Sequence, residues 1–164
     1  MKKFIPIILA ILLILPIMSC AEKDTGPKAE KVTNLEVPEF SVSVNGINIT
    51  QEDLAEYNIY SVVAKSVNSS GTESEVTYVG YAIKDILKAA GLTEKYVWLE
   101  ATAGDGYTVT ITGDVVLKDT TLLAMTKDGS PFSSSPWLAP CNETVSGNYL
   151  KGTESIIVTT SVPE

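Results

Sequence analysis

The sequence contains neither histidine nor arginine. All 12 basic residues are lysines, and they stand against 20 Asp and Glu residues, for a net charge of −8. Without histidine there is no imidazole general base, no histidine-bound metal and no Ser-His-Asp or Cys-His catalytic system. Without arginine there is no bidentate fork for phosphate or carboxylate, and the negative charge opposes binding to a nucleic-acid backbone. These absences favour an acidic, non-catalytic protein that does not bind nucleic acid.

Long hydrophobic runs are also scarce, and the one clear example lies at the N-terminus. Lys2 and Lys3 precede an uncharged run from Phe4 to Ser19. A basic start followed by such a run is typical of a secretory signal. The run is shorter than the roughly 20 residues that a membrane-spanning helix needs. We therefore predict a signal segment that is removed.

The end of this run indicates how the protein is held after export. Ile17-Met18-Ser19-Cys20 resembles the lipobox of bacterial lipoproteins, in which the cysteine is lipidated and becomes the first residue. The acyl chains on such a cysteine suffice for stable anchoring. We predict a signal peptide over residues 1–19, lipidation of Cys20 and a location on the extracytoplasmic face of the cell membrane. An ordinary signal peptide, with Cys20 incidental, is the alternative.

If lipid occupies Cys20, the remaining cysteine, Cys141, has no partner for an intramolecular disulfide. It is then either a reactive thiol or a buried small side chain. We favour burial, because free cysteine is among the most buried residue types.

The rest of the chain divides into a polar tether and one domain. Residues 20–36 carry Gly26-Pro27 and mixed charges without an apolar period, which predicts a flexible spacer. Residues 37–164 are long enough for a single domain, and a hydrophobic fraction of 45% supports a real core.

Hydrophobic periodicity predicts short helices among many strands, which indicates an α+β domain. One helix is predicted over about Ala82–Ala90, ended by Gly91, and a shorter one after Thr50. The stretch Lys127–Asn148 is predicted to be irregular. The predicted strands, the first of which turns through Asn45-Gly46 into the second, are Phe40–Val44, Ile47–Ile49, Ile59–Val67, Glu75–Tyr81, Val97–Ala101, Tyr107–Ile111, Thr121–Met125 and Ile156–Thr160.

An ordered set of short motifs extends through this domain. Together the motifs resemble the molybdopterin-binding domain of the sulfite oxidase family, from about Phe40 to Val162. The resemblance implies the sulfite-oxidase fold, which is a mostly β, α+β architecture with a β-grasp-like portion, and a molybdopterin cofactor. The motifs are Val44-Asn45-Gly46, Ile49-Thr50 with Asp53-Leu54, Tyr78-x-Gly80, Ile83-x-Asp85-Ile86-Leu87 with Ala90-Gly91, Asp105-Gly106-Tyr107, Leu122-Leu123-Ala124, Asp128-Gly129-x-Pro131, Pro136-x-Leu138-x-Pro140 and Tyr149-x-Lys151.

The departures from the family pattern concern the cofactor. The resemblance implies a molybdenum-binding cysteine before the Tyr78-x-Gly80 motif, but Ser66 or a neighbour stands there. A serine hydroxyl is a poor substitute for a soft thiolate. Trp137 likewise replaces an arginine of the family. We therefore expect that the domain keeps the scaffold, has lost its cofactor, and has no catalytic or metal-binding residues.

Six residues are candidates for what remains of the cofactor cleft: Ser66, Asp105, Tyr107, Trp137, Cys141 and Tyr149. The aromatic members either form a platform for a ligand or fill the core. The Asp-Gly pairs at Asp105 and Asp128 are better explained as turns than as calcium ligands.

The leading functional hypothesis is a lipoprotein whose domain serves as a binding or interaction module for a small ligand or an envelope protein. The alternative is a molybdopterin-dependent oxidoreductase in which Lys65, Lys151 or backbone amides replace arginine at the cofactor phosphate.

Overall fold

The computed structural model describes residues 26–33, 35–67, 70–93, 95–133, 135–144 and 146–160. The predicted signal segment 1–19 and the lipidation site Cys20 lie outside these ranges. No helix within the described ranges is long and apolar enough to cross a membrane.

Strands dominate the fold, as predicted. The helices are α1 (Ile83–Ala89) and α2 (Gly113–Val116), with a 3-10 turn at Ser146–Asn148. The strands are β1 (Ala29–Val32), β2 (Ser41–Val44), β3 (Ile47–Thr50), β4 (Ile59–Val67), β5 (Glu73–Ala82), β6 (Trp98–Ala103), β7 (Thr108–Thr112), β8 (Thr121–Lys127), β9 (Ser130–Pro131), β10 (Trp137–Pro140) and β11 (Thr153–Thr159).

The strands form two sheets. The first has the order β1-β4-β5-β8-β10, with β9 added to β8, and the second has the order β3-β2-β11-β6-β7. The pairing of β11 with β2 is parallel, and the other strand pairs are antiparallel. The mostly β, α+β prediction is confirmed.

Local chemistry explains the elements that were predicted correctly. Asn45 and Gly46 have φ angles of 46° and 83°, the left-handed pair that closes a two-residue hairpin. Helix α1 buries Ile83, Ile86 and Leu87, and Gly91 follows it at a φ of 75°. Its left-handed conformation lets the backbone turn away from the helix without a steric penalty.

The helix predicted after Thr50 is wrong. Residues 51–56 form successive hydrogen-bonded turns, and the Leu54 amide bonds the carbonyl of Gln51 at 3.2 Å. The Asp53 carboxylate accepts hydrogen bonds from both the amide and the hydroxyl of Thr50. The Thr50 side chain is therefore a donor to Asp53 rather than an acceptor that caps a helix. Leu54 is nevertheless fully buried.

The flexible tether predicted over residues 20–36 does not extend as far as predicted. Residues Ala29–Val32 form β1, an edge strand that pairs antiparallel with β4. Ala29 lies opposite Val62, and Val32 lies opposite Ile59. Backbone pairing with β4 and the packing of Ala29 hold this polar segment in place. Neither contact requires apolar residues at regular intervals, so the sequence shows no hydrophobic periodicity here. The ordered fold thus begins before Val37.

The stretch Lys127–Asn148 is also more regular than predicted, because it includes β9 and β10. Strand β10 pairs with β8, where Leu138 lies opposite Leu123. Four residues with a proline at one end are too few to show an alternating pattern. This strand carries Trp137 to its observed place.

Buried side chains form two groups. The main core joins the second sheet, helices α1 and α2 and one face of the first sheet: Val42, Val44, Ile49, Leu54, Tyr81, Ile83, Ile86, Leu87, Ala90, Tyr96, Leu99, Ala101, Ala103, Val109, Ile111, Val115, Val116, Leu123, Met125, Leu138, Leu150, Ile156 and Val158. The second cluster lies on the first sheet: Tyr60, Val62, Ala64, Val76, Tyr78, Ala82, Leu122, Ala124, Ala139 and Cys141.

Candidate functional site

A small cleft lies against the second cluster. Its volume is about 180 Å³. Strand β4 supplies two lining residues, strands β5, β8 and β10 supply one each, and the segment before β11 supplies two more. The lining residues are Ala64, Ser66, Tyr78, Lys127, Trp137, Tyr149 and Lys151.

Aromatic rings occupy much of the surroundings of the cleft. The Trp137 ring stacks on Phe132, with centroids 4.3 Å apart and planes 6° apart. The ammonium of Lys151 lies 5.1 Å from the centroid of Trp137, within the range of a cation–π contact. Tyr78 and Tyr149 form a second ring pair, with centroids 5.5 Å apart. These contacts fix the rings in place, so the cleft walls are preformed.

The two tyrosines are neutral at physiological pH. Burial raises the pKa of Tyr78 to about 12, and burial also raises the pKa of Tyr149. The Tyr149 hydroxyl donates to the backbone carbonyl of Glu143 at 3.3 Å. The charges that line the cleft are therefore the ammonium groups of Lys127 and Lys151.

Cys141 is buried, with 2% of its surface exposed, and it does not line the cleft. Its thiol donates to the carbonyl of Ala139 at 3.4 Å. Burial raises the pKa of this thiol to about 12. A protonated, buried thiol is a poor nucleophile and a poor metal ligand, because both roles require the thiolate.

Asp105 and Tyr107 are not brought to the cleft either. They flank the turn between β6 and β7 in the second sheet, where the Asp105 carboxylate accepts the Tyr107 amide at 3.0 Å. Tyr107 is 58% exposed. Asp105 therefore acts in the turn with Gly106, whose φ is 85°, as the turn interpretation predicted.

Of the six candidates from the sequence, the cleft thus brings together Ser66, Trp137 and Tyr149. Tyr78 and Lys127 also line the cleft and were not among the candidates from the sequence. Tyr78 lies two residues after the buried Val76 on β5 and therefore shares its face, and the pairing of β4 with β5 puts that face on the same side as Ser66. The place of Lys127 could not be predicted in this way. Lys127 reaches the cleft because β8 extends to this residue, and the sequence does not indicate where that strand ends.

The comparisons with known proteins decide the family. Residues 31–135, more than half of the chain, match the oxidoreductase molybdopterin binding domain. The chain belongs to this family. The sulfite-oxidase-type resemblance of the sequence is confirmed at the level of family and fold.

A solved structure supports the same fold. The chain is similar to sulfane dehydrogenase SoxCD from Paracoccus pantotrophus, with a TM-score of 0.59 and 16% sequence identity. The similarity covers 77% of this chain but 40% of that one, so this chain spans less than half of that protein's length. No curated protein matches the sequence. At this level of identity the likeness concerns the fold.

The residues present do not fit the cofactor of the molybdopterin family. At the position where the resemblance requires a thiolate, the cleft offers the Ser66 hydroxyl, and the thiol of Cys141 lies outside the cleft, protonated. No group of three or more Cys, Asp or Glu side chains within the described ranges is placed to hold a metal ion. The cleft volume of about 180 Å³ is below the ~300 Å³ at which typical ligand pockets begin.

Proposed function

We propose that this protein is a lipid-anchored, extracytoplasmic member of the molybdopterin-binding family that has lost the cofactor and catalysis and works as a binding or interaction module. The observation that carries the proposal is the composition of the cleft. Where a metal-binding thiolate is required, it holds a serine hydroxyl among stacked aromatic rings. The fold has been kept, and the fold alone does not supply an activity.

The chemistry of the cleft supports a small anion with a flat apolar portion as its ligand. Lys127 and Lys151 supply positive charge in a protein whose net charge is −8. Trp137 and the Tyr78–Tyr149 pair line the cleft and supply apolar surface with polar edges. The volume restricts the ligand to about the size of one ring. Benzoate is a suitable probe.

The anchoring part of the proposal rests on the motif Ile17-Met18-Ser19-Cys20. Metabolic labelling with a fatty acid, followed by membrane fractionation, tests it. The wild-type chain should carry label and sediment with membranes, and a Cys20→Ala variant should do neither. Label on the Cys20→Ala chain would contradict the assignment of Cys20.

Native mass spectrometry combined with elemental analysis tests the loss of the cofactor. The full chain is produced in a host that synthesises the molybdenum cofactor and is extracted in mild detergent. We expect the mass of the lipidated polypeptide and no molybdenum. Stoichiometric molybdenum or pterin would overturn the proposal.

The second candidate is a molybdopterin-dependent oxidoreductase, and the two lysines of the cleft favour it. Lys151 lines the cleft, and an ammonium there could pair with a cofactor phosphate, whereas Lys65 lines a different cavity. If metal were found in the purified protein, Ser66→Ala and Cys141→Ser would identify the side chain that holds it. Loss of metal in only one variant would assign the ligand.

A further inference from the structure

A second and larger cavity lies apart from the cleft, and the two share no lining residue. Its volume is about 490 Å³, within the range of small-molecule sites. One wall is the segment leading into β1, another is the loop after β10, and the floor includes side chains of β4 and β5. The lining residues are Gly26, Pro27, Lys28, Glu30, Ser61, Val63, Lys65, Glu75, Cys141, Asn142 and Thr144.

Equal numbers of positive and negative side chains line this cavity. No ion pair joins them within the described residues. Two lysines and two glutamates line it: Lys28, Lys65, Glu30 and Glu75. Lys65 lies directly across the strand pair from Glu75, yet the ion pair that the described residues form is Lys84–Asp119, on another part of the surface. Among the residues that the structure describes, none of the four charged groups at the cavity is engaged in an ion pair, and a ligand can therefore meet all four.

The arrangement selects for a ligand that carries both charges. A simple anion that contacts a lysine here would also meet the field of two carboxylates, and a simple cation would meet two ammonium groups. A short zwitterion satisfies both kinds of group at once. Neutral hydrogen-bonding groups of Ser61, Asn142 and Thr144 lie beside the charges and can bond the polar body of such a ligand.

We propose that this cavity binds a small zwitterion, a molecule in which an ammonium group and a phosphate or carboxylate group are a few bonds apart. Lys65 and Lys28 bind the anionic group, and Glu75 and Glu30 bind the ammonium. This site goes beyond the proposed function, because it uses none of the residues of the cleft and does not depend on the loss of the cofactor.

The position of the cavity suggests two sources for the zwitterion. Gly26 and Lys28, in its wall, follow the proposed lipid anchor at Cys20 by six and eight residues. A fully extended chain of eight residues spans at most about 28 Å. If Cys20 is lipidated, the cavity therefore remains near the membrane surface. Zwitterionic lipid headgroups and soluble zwitterions share the chemistry that the cavity recognises.

Calorimetric titration of the full chain in detergent with phosphoethanolamine tests the proposal. Inorganic phosphate and ethanolamine, which each carry one of the two charges, are the comparison probes. We expect phosphoethanolamine to bind at least tenfold more tightly than either. Lys65→Gln and Glu75→Gln should each weaken binding about tenfold, because each removes a charge-assisted hydrogen bond.

The matched controls are Lys95→Gln and Glu56→Gln, which make the same changes at exposed residues that do not line the cavity. They should leave the affinity for phosphoethanolamine unchanged. Equal affinity for the single-charge probes would overturn the proposal, as would unchanged affinity in both cavity variants or no binding at millimolar concentration. Circular dichroism spectra that match those of the wild type ensure that lost binding is not lost folding.

Reconstitution into vesicles distinguishes the two sources. In vesicles that contain phosphatidylethanolamine, a headgroup in the cavity would lower the apparent affinity for phosphoethanolamine relative to vesicles of phosphatidylglycerol. An unchanged affinity would assign the site to a soluble zwitterion.

Discussion

The main core and the second cluster are filled by different kinds of side chain. Large aliphatic residues such as Leu54, Ile86, Leu99 and Ile156 dominate the main core and are fully buried. Alanines, tyrosines and a cysteine make up much of the second cluster. Trp137 and Tyr149 pack over it, and the cleft opens beside them.

The difference indicates that the main core stabilises the fold and that the second cluster forms a binding surface. Interdigitated aliphatic side chains without polar atoms specify and stabilise the fold. In the second cluster, small side chains lie beneath aromatic rings. The polar ends of those rings and the charges of Lys127 and Lys151 meet at the cleft. We therefore expect mutations in the main core to lower stability most, and mutations at the cleft to change binding with little loss of stability.

The largest effect is expected at Gly80 of β5, a strand whose two faces contribute to the two regions. Tyr78, two residues before it, belongs to the second cluster, and Tyr81, just after it, belongs to the main core. A Cβ at Gly80 would collide with the backbone carbonyl of Leu123 and lie 2.7 Å from the Cα of Ala124. Gly80→Ala should lower the free energy of unfolding by more than about 4 kcal/mol, since a backbone neighbour cannot move without breaking the β5–β8 pairing. Urea denaturation followed by circular dichroism measures the change.

Gly104→Ala is the matched control for this prediction. The Cβ introduced there meets the carboxylate end of the Glu154 side chain, which can swing away. We expect a loss below about 1 kcal/mol. Similar losses of unfolding free energy at both glycines would contradict the prediction. They would show that the close approach of the β5 and β8 backbones does not explain the need for glycine at residue 80.

Two adjacent leucines of β8 test the comparison directly. Leu123 belongs to the main core and Leu122 to the second cluster, and both are fully buried. We expect Leu123→Ala to cost about 4 kcal/mol and Leu122→Ala about 2 kcal/mol, because the region beside an open cleft can relax around a missing side chain. Chemical denaturation of the two variants gives the difference, and equal losses would remove the energetic distinction between the regions.

The same contrast explains how far the sequence could predict the structure. The alternation Val42-x-Val44 and the spacing of Ile83, Ile86 and Leu87 reflect burial against the main core, and those elements were predicted correctly. β1 and β10 were not, because each is short and held by backbone pairing to a neighbour that is distant in sequence.

The candidate site was predictable only in part for the same reason. Ser66, Trp137 and Tyr149 could be placed by the family resemblance, which follows chain order. The burial of Cys141 could be predicted from its residue type and is confirmed, but its place in the cleft was wrong, because the chain continues past β10 and buries the thiol outside the cleft. Asp105 and Tyr107 lie in the other sheet, and local sequence does not indicate which sheet a strand joins.

The buried groups of the second cluster predict a loss of stability at alkaline pH. The thiol of Cys141 has a pKa of about 12 in the folded protein against an ordinary 9.0. Its folded pKa is raised, so its stabilisation is complete below pH 9 and is lost as the pH rises toward 12. The free energy of unfolding should fall by roughly 1 kcal/mol per pH unit between pH 9 and 11 from this group.

Urea denaturation at pH 8, 9, 10 and 11 measures that slope, and Cys141→Ala is the control that should make it shallower. Tyr78, whose folded pKa is about 12 against an ordinary 10.0, adds to the loss above pH 10 in the same direction. An identical slope in wild type and Cys141→Ala would contradict the burial of the thiol. Rapid alkylation of native protein at pH 8 would contradict it independently.

The smallest effect on stability is expected at the lysines that contact aromatic rings, and here the two regions offer a matched pair. Lys151 lies over Trp137 at the cleft, and Lys88 lies 5.9 Å from the ring centroid of Tyr57, which lies against the main core. Cation–π contacts at exposed sites contribute about 0.5–1 kcal/mol. Lys151→Gln and Lys88→Gln should therefore each lower the free energy of unfolding by no more than about 1 kcal/mol.

Ligand binding should separate these two lysine variants even though stability does not. In a Trp98→Phe background, where Trp137 is the remaining tryptophan, benzoate entering the cleft should change the fluorescence of Trp137. Lys151→Gln should weaken that response about tenfold, because it removes a charge from the cleft, and Lys88→Gln should leave it intact. Equal fluorescence responses to benzoate in the two variants would mean that the ammonium of Lys151 contributes to packing but not to ligand binding. That result would contradict the proposal that the cleft binds an anion.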